Sequence, residues 1–287
     1  MFALMMLKEQ YRNFLLQLQK IYEPGEAATI ADWAFEKIAA VSRSGILKNP
    51  DLHLSDSSIA QLNTALADLK DHRPIQYVLG EAWFYNMKLK VNEHVLIPRP
   101  ETEELVEQLI KDRKSKLTDP AILDIGTGSG CIPIVIKKHL PAANITSIDV
   151  SDKAIRLAKE NARTHNAGIS FKQMDFLDES KWASLPLFDI IISNPPYIPI
   201  SQKKKLKKNV SAFEPHLALF VPDESPFIFY EKIAAFGKTN LQHAGKIYLE
   251  THEDYSDKVA DLFRKDYEMV MIRKDMYGKE RMILVTA

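Results

Sequence analysis

The sequence predicts an α/β protein, a doubly wound sheet of seven strands preceded by a small helical domain. Three observations carry this expectation. Apolar residues recur at helical spacing from Leu7 to about Leu69, strand-length apolar runs alternate with helical patterns after residue 120, and the last two runs are separated only by residues 274–281. Alternation of strand and helix gives a mainly parallel sheet covered on both faces. A connection that short cannot hold a crossover helix, so the last two strands should pair antiparallel.

Each element follows from local pattern. The first helices are marked by Leu7, Tyr11, Leu15, Leu18 and Tyr22, then Ala31, Phe35, Ile38 and Val41, then Ile59, Leu62, Leu66 and Leu69. Pro24-Gly25 and residues 52–58 break the pattern, with Asp56 or Ser57 as a cap for the third helix. Residues 1–73 are thus expected to form a helical domain for partner recognition or packing, since no catalytic cluster lies in it. Residues 74–97 read as a β-hairpin linker, with Gly80 and Asn86 as turn residues and Phe84, Met87, Leu89 and Val91 in partial alternation. The α/β domain spans residues 98–287 and opens on Pro98 and Pro100, which fix an extended loop before a helix beginning near Thr102. Its strands are expected at 121–125, 144–148, 169–173, 188–193, 246–250, 267–272 and 282–285, with helices near 132–139, 152–165, 226–242 and 254–265. A parallel sheet with an antiparallel terminal hairpin resembles the class I S-adenosylmethionine-dependent methyltransferase fold.

Composition narrows the setting. The chain has 287 residues, 46% apolar and 26% charged, enough for a sizeable core without disulfides or metal. Lys and Arg number 38 and so do Asp and Glu, which removes the composition-level argument for a nucleic-acid or membrane partner and leaves only local patches. The one cysteine, Cys131, can form neither an internal disulfide nor a CxxC zinc site. Lys8 interrupts the apolar start too soon for a signal peptide, and no apolar run approaches the roughly 18 residues of a membrane span. A reduced, soluble, cytoplasmic protein is expected.

Ile122-Leu123-Asp124-Ile125-Gly126-Thr127-Gly128-Ser129-Gly130 joins the first strand of the α/β domain to its helix. Glycines there let the backbone approach a ligand where a Cβ would collide. Nicotinamide enzymes place G-x-G-x-x-G at the same point, but its third glycine would fall on Cys131; the spacing here is Gly-x-Gly-x-Gly. Asp149, 23 positions after Gly126, is placed to accept both ribose hydroxyls, a role it can play for either cofactor class. The loop alone therefore leaves methyltransferase and dehydrogenase open. Asp175-Phe176 follows the third strand, where Asp175 can bond an adenine amino group and Phe176 cover the ring; Phe176 is equally suited to a core.

Asn194-Pro195-Pro196-Tyr197 decides the chemistry. It ends the fourth strand, at the sheet edge where doubly wound folds bind ligands. Two prolines fix the backbone and remove two N–H donors. A planar –NH2 nitrogen is a poor nucleophile because its lone pair is delocalised. The Asn194 side-chain oxygen and the Pro195 carbonyl can hold both its hydrogens and aim the nitrogen at a sulfonium methyl, and those bonds strengthen as the nitrogen pyramidalises. Tyr197 can stack on the substrate plane. The motif restricts the acceptor to an exocyclic base amine or a carboxamide. It does not choose among DNA adenine, RNA guanine and protein glutamine.

Taken together, the chain resembles the protein-(glutamine-N5) methyltransferases of peptide chain release factors. The resemblance runs over nearly the whole length, through Pro74-Ile75-Gln76-Tyr77-Val78-Leu79-Gly80, Leu96-Ile97-Pro98-Arg99-Pro100-Glu101-Thr102-Glu103, the glycine loop to Cys131, Asn194-Pro195-Pro196-Tyr197-Ile198-Pro199, and Phe213-Glu214-Pro215 with Ala218-Leu219. It implies methyl transfer from S-adenosylmethionine to the glutamine side-chain nitrogen of the Gly-Gly-Gln tripeptide in release factors. It assigns cofactor contacts to Gly126, Thr127, Gly128, Ser129, Gly130, Asp149, Phe176 and Asn194, and the substrate clamp to Asn194, Pro195, Pro196 and Tyr197.

Three departures stand out: residues 220–226 replace a glycine-rich stretch, Glu250-Thr251-His252 replaces an acidic-Ile-Gly, and Lys203, Lys204, Lys205, Lys207 and Lys208 follow the clamp. Such a basic run steers an acidic partner, touches RNA, or is a solvated face. Arg99, Glu101 and Glu103 order the cofactor or a docking loop, or are simply helix-start charges. Cys131 is read as a small packing residue rather than a thiolate at a helix start. The expected mechanism is direct displacement with neither metal nor covalent enzyme intermediate. The alternatives are a nucleic-acid amino-methyltransferase, which would need a basic face or recognition insert, and a non-catalytic binding module.

Overall fold

The computed structural model describes residues 6–113 and 119–287; the apolar lead at 1–5 lies outside them. The chain divides into two compact units, residues 1–80 with 208–213, and residues 81–207 with 214–287.

The first unit is helical: α1 (Leu7–Leu18), α2 (Pro24–Ala39), α3 (Arg43–Lys48), α4 (Asp56–Lys70), α5 (Ile75–Leu79). Its core gathers Leu7, Phe14, Leu18, Ile30, Phe35, Leu62 and Leu69, drawn from the apolar stripes of α1, α2 and α4. Pro24 is the first residue of α2 rather than a break before it, where its missing N–H costs nothing. The cap of α4 is Ser55, whose Oγ accepts from Ser58 N at 3.1 Å; the expected Asp56 and Ser57 lie inside the first turn. The expected hairpin linker over 74–97 also changes character at its start. Pro74 precedes the helical turn α5, which Gly80 ends at φ +67°, and this piece packs Ile75 into the helical core.

The second unit begins with a true hairpin, β1 (Glu81–Phe84) and β2 (Met87–Lys90), closed by Tyr85 and Asn86, both at positive φ. An extended segment then leads into α6 (Pro100–Arg113). The doubly wound part follows as β3 (Ala121–Ile125), α7 (Cys131–His139), β4 (Asn144–Asp149), α8 (Asp152–Thr164), β5 (Ser170–Gln173) and β6 (Phe188–Ser193). Short pieces intervene, β7 (Ile198–Pro199), α9 (Lys208–Ser211), α10 (His216–Leu219) and β8 (Phe220–Val221), with β7 and β8 paired in parallel; α9 belongs to the helical unit. The chain ends with α11 (Ile228–Asn240), β9 (Leu241–Glu250), α12 (Ser256–Arg264), β10 (Met269–Lys274) and β11 (Glu280–Thr286).

The seven-stranded sheet runs β10-β11-β9-β6-β3-β4-β5. Pairing is parallel except at β11, which runs antiparallel to both neighbours, as the short terminal connection requires. Central strands are apolar on both faces because both are covered. One face packs Leu123, Ile191, Tyr230 and Phe236, the other Leu105, Ile122, Ile134 and Ile192. Chain order reverses between β3 and β6, so their carboxyl ends open a crevice in which neither crossover blocks a ligand. Among the described residues no helix is long and apolar enough to cross a membrane.

Candidate active site

A cavity of about 340 Å³ lies in the second unit, at the carboxyl ends of β3, β4 and β6. The loop after β3 forms its floor. Gly126, Gly128 and Gly130 take φ of +79°, +53° and +81°, a region that a side chain resists, so this turn requires glycine at all three points. The reasons then diverge. A Cβ on Gly126 or Gly128 would meet open space, leaving their outer faces bare for a ligand, whereas one on Gly130 would stand 3.2 Å from both Ala158 Cβ and Ile134 Cδ1. Gly130 therefore packs the loop against α8 and does not line the cavity, while Gly126, Thr127, Gly128 and Ser129 do.

Hydrogen bonds lock this floor to the sheet. Gly126 N and Thr127 N donate to Ile148 O at 2.9 and 3.0 Å, and Ser193 Oγ donates to Ile125 O at 2.7 Å. Asn161, buried on α8, donates to Ser129 O and Lys90 O, both at 2.9 Å, and accepts from Lys90 N at 2.8 Å. Its three bonds tie the hairpin to the glycine loop, a role no local sequence pattern announces. Asp149 lines the cavity; Oδ2 accepts from Gly128 N and Oδ1 from Ser151 N, each at 2.9 Å. Burial raises its pKa against the pull of those N–H groups, and each oxygen keeps a further lone pair for a hydroxyl donor.

Asp124 is fully buried below the loop and accepts from Ser147 Oγ, which also shares a 2.7 Å hydrogen bond with Thr127 Oγ1. Burial pushes its carboxyl up to about 7, against the pull of hydrogen bonds from Ser147 and Thr127. The fit to a nucleoside thus rests on a bare glycine floor and on Asp149 at its rim, while Asp124 is fully buried and does not line the cavity. Phe176 contributes to the wall but is 3% exposed, stacked on Trp182 at 5.5 Å and edge-on to Phe236, so it serves core and cavity together. Asp175 also lines the cavity, with Oδ1 accepting from Leu177 N.

The clamp motif leaves β6 directly into this space. Asn194 and Pro196 line the cavity; Pro195 and Tyr197 do not. Tyr197 instead leans on the core, 6.1 Å from the His252 ring, with burial raising its phenol pKa. Tyr197 follows the rigid Pro-Pro step and packs against the apolar core, outside the cavity lining. Asn194 is itself held, since Nδ2 donates to Thr102 Oγ1 at 3.0 Å and Thr102 Oγ1 donates to Glu250 Oε2 at 2.6 Å. The segment before α6 supplies another wall through Leu96, Pro98 and Arg99. Arg99 pairs with the buried Glu214, which also accepts from Ile97 N at 3.2 Å. Arg99 is thus held by Glu214 at the cavity wall, directly before α6. Cys131 is buried and its thiol is pushed up to about 12 by burial, which makes it a packing group.

Lys203, Lys204 and Lys205 sit on a 3₁₀ turn, and Lys208 pairs with Asp71 at 2.8 Å within the helical unit. No lysine of the run lines the cavity.

The family described as "Methyltransferase small domain" matches residues 100–212, and "PrmC N-terminal domain" matches residues 9–80. A release factor glutamine methyltransferase of Flavobacterium psychrophilum is 40% identical over 284 residues, covering 98% of this chain and 99% of that protein. One from Bacteroides thetaiotaomicron is 36% identical, covering 93% and 95%. Among solved structures, a methyltransferase from Pyrococcus furiosus superposes with a TM-score of 0.50 over 79% of this chain and 96% of that one; at 15% identity this speaks for the fold alone. Glycine floor, crevice and Asn-Pro-Pro-Tyr exit agree with full-length identity at this level, and the chain belongs to the release factor glutamine methyltransferase family.

Proposed function

We propose that the protein transfers a methyl group from S-adenosylmethionine to the side-chain nitrogen of the glutamine in the Gly-Gly-Gln tripeptide of peptide chain release factors. The observation that carries this reading is Asn194: it leaves β6 at the point of strand reversal, lines the cavity floored by the glycine loop, and has its amide nitrogen engaged by Thr102. Its Oδ1 is therefore the atom left for an acceptor's N–H.

Bound S-adenosylmethionine supplies an electrophilic sulfonium methyl. Gly126, Thr127, Gly128 and Ser129 would bear its backbone-facing side, Asp149 would take the ribose hydroxyls, and Phe176 borders the base. Asn194 Oδ1 and the Pro195 carbonyl accept the two amide hydrogens and orient the nitrogen lone pair. As that nitrogen loses conjugation and gains positive charge, both bonds strengthen, so the clamp stabilises the transition state more than the ground state. The proton can leave to water after the methyl arrives, and no strong base is required in the clamp. Residues 1–73 are assigned recognition of the protein substrate, residues 74–97 the link and residues 98–287 the catalysis. The buried thiol and the translational substrate suit a cytoplasmic setting, with neither membrane nor nucleic acid as partner.

The test is methyl incorporation from labelled S-adenosylmethionine into purified release factor, into a variant with that glutamine changed to alanine, and into DNA and RNA. Label is expected in the unaltered factor alone, and Asn194→Ala should lower turnover about 100-fold or more. Label appearing in nucleic acid instead would replace the glutamine reading with an exocyclic amine.

A further inference from the structure

An asparagine amide can rotate by half a turn and exchange its oxygen for its nitrogen at almost no steric cost. A clamp that must accept two hydrogens works in only one of these orientations, so something has to choose. We propose that Thr102 and Glu250 are positioning residues that fix the Asn194 amide with its oxygen toward the methyl acceptor; this rests on the clamp reading given under "Proposed function".

The choice follows from counting protons. Thr102 Oγ1 stands 3.0 Å from Asn194 Nδ2 and 2.6 Å from Glu250 Oε2, and both Thr102 and Glu250 are 3% exposed, so no water shares these bonds freely. The hydroxyl has one hydrogen, and an ionised carboxylate can only accept it. Oγ1 then presents lone pairs to residue 194, which must answer with an N–H. Turned over, Asn194 would set its own oxygen against Oγ1 with no hydrogen between them. The fold places the three groups from distant segments: Thr102 in the first turn of α6, Glu250 as the last residue of β9, Asn194 just after the neighbouring strand β6. Tyr230 Oη donates to the Glu250 carbonyl at 3.0 Å and anchors that strand end.

The relay is conditional on charge. A protonated Glu250 can donate to Thr102, freeing the hydroxyl hydrogen for Asn194 Oδ1 and permitting the unproductive orientation. Groups acting on Glu250 come from every side: Glu101 on α6 repels its charge, Arg281 on β11 and Arg99 before α6 favour it, and Tyr197 stays neutral through burial. Burial outweighs them and brings the carboxyl up to about 7. Methyl transfer at saturating substrate should therefore fall on acidification through neutral pH.

The experiment compares wild type, Thr102→Val, Thr102→Ser and Glu250→Gln by kcat and KM across pH 5.5–9, with melting temperature as the fold control. Thr102→Val keeps the shape and removes the hydroxyl. It should lower kcat about 10- to 100-fold with KM for S-adenosylmethionine within about threefold of wild type, while Thr102→Ser stays near wild type. Glu250→Gln should abolish the acid limb of kcat. Unchanged kcat in Thr102→Val, or an equal loss in Thr102→Ser, would overturn the relay. A second readout needs no turnover: hydrogen exchange of the Asn194 side-chain amide by NMR should accelerate at least tenfold in Thr102→Val, and equal rates would also overturn it. A wild type that fails to label release factor refutes the glutamine reading, while the exchange measurement still decides the relay.

Discussion

Asp124 shows how far one residue's environment departs from its sequence context. It is a β3 residue with an ordinary neighbourhood in the chain, yet it is fully buried with its carboxyl up to about 7. The folded protein therefore holds a proton that the unfolded chain releases from its usual value near 3.8. Stability from this group is fully present below about pH 4 and is lost as pH rises through 7. Asp124→Asn removes the titration. Urea unfolding of the cofactor-free protein between pH 5 and 8 should show a decline in the wild type that is shallower in the variant, by on the order of a few kcal/mol; identical slopes would refute it. At this scale the cavity lining was legible where its residues are contiguous, in residues 126–129 and at Asn194 and Pro196. It was illegible where partners are far apart in the chain: Asn194 and Thr102 are 92 residues apart, and Thr102 and Glu250 are 148 apart.

The segment before α6 illustrates the element scale. It has no regular hydrogen bonding of its own, and yet it walls the cavity, so its shape must be imposed from outside. The Arg99–Glu214 ion pair does this, with Glu214 also receiving Ile97 N at 3.2 Å; their side chains are 34% and 2% exposed. Removing the cation leaves a carboxylate buried without its counter-charge. Because Arg99 is part-exposed and screened, Arg99→Met should cost about 2 kcal/mol rather than the larger figure for a fully buried pair. Adding Glu214→Gln should recover part of it, since Gln still accepts from Ile97 N. Urea midpoints of wild type, Arg99→Met, Glu214→Gln and the double variant check this, and a loss in Arg99→Met under about 0.5 kcal/mol would refute it. The same contrast explains which elements could be read. Central strands of the sheet are apolar on both faces and helices over it carry full turns of periodic sequence, so both announce themselves. Pieces such as α3, α5, α10, β7 and β8 are two to six residues long, shorter than any period can register, and they exist because tertiary packing holds them.

The whole molecule carries equal numbers of opposite charges, 38 and 38, and the main concentration noted in the sequence is the lysine run after the clamp. That balance separates the two classes of substrate by their response to salt. A protein that neutralises phosphates loses affinity with a slope of about 0.9 per contact in log–log terms. If all five lysines of the run met phosphates, the fourfold step from about 50 to 200 mM salt would lower kcat/KM roughly 500-fold. A glutamine substrate held by an amide clamp has no such dependence at its reacting end, and Lys208 already has Asp71 as its neighbour. The expected fall for release factor methylation over that step is under about tenfold, and replacing Lys203, Lys204 and Lys205 together by Gln should change kcat/KM less than about threefold. A drop of a hundredfold or more with salt, abolished by the triple replacement, would mean that this turn binds a polyanion during turnover and that the neutral whole conceals a working basic surface.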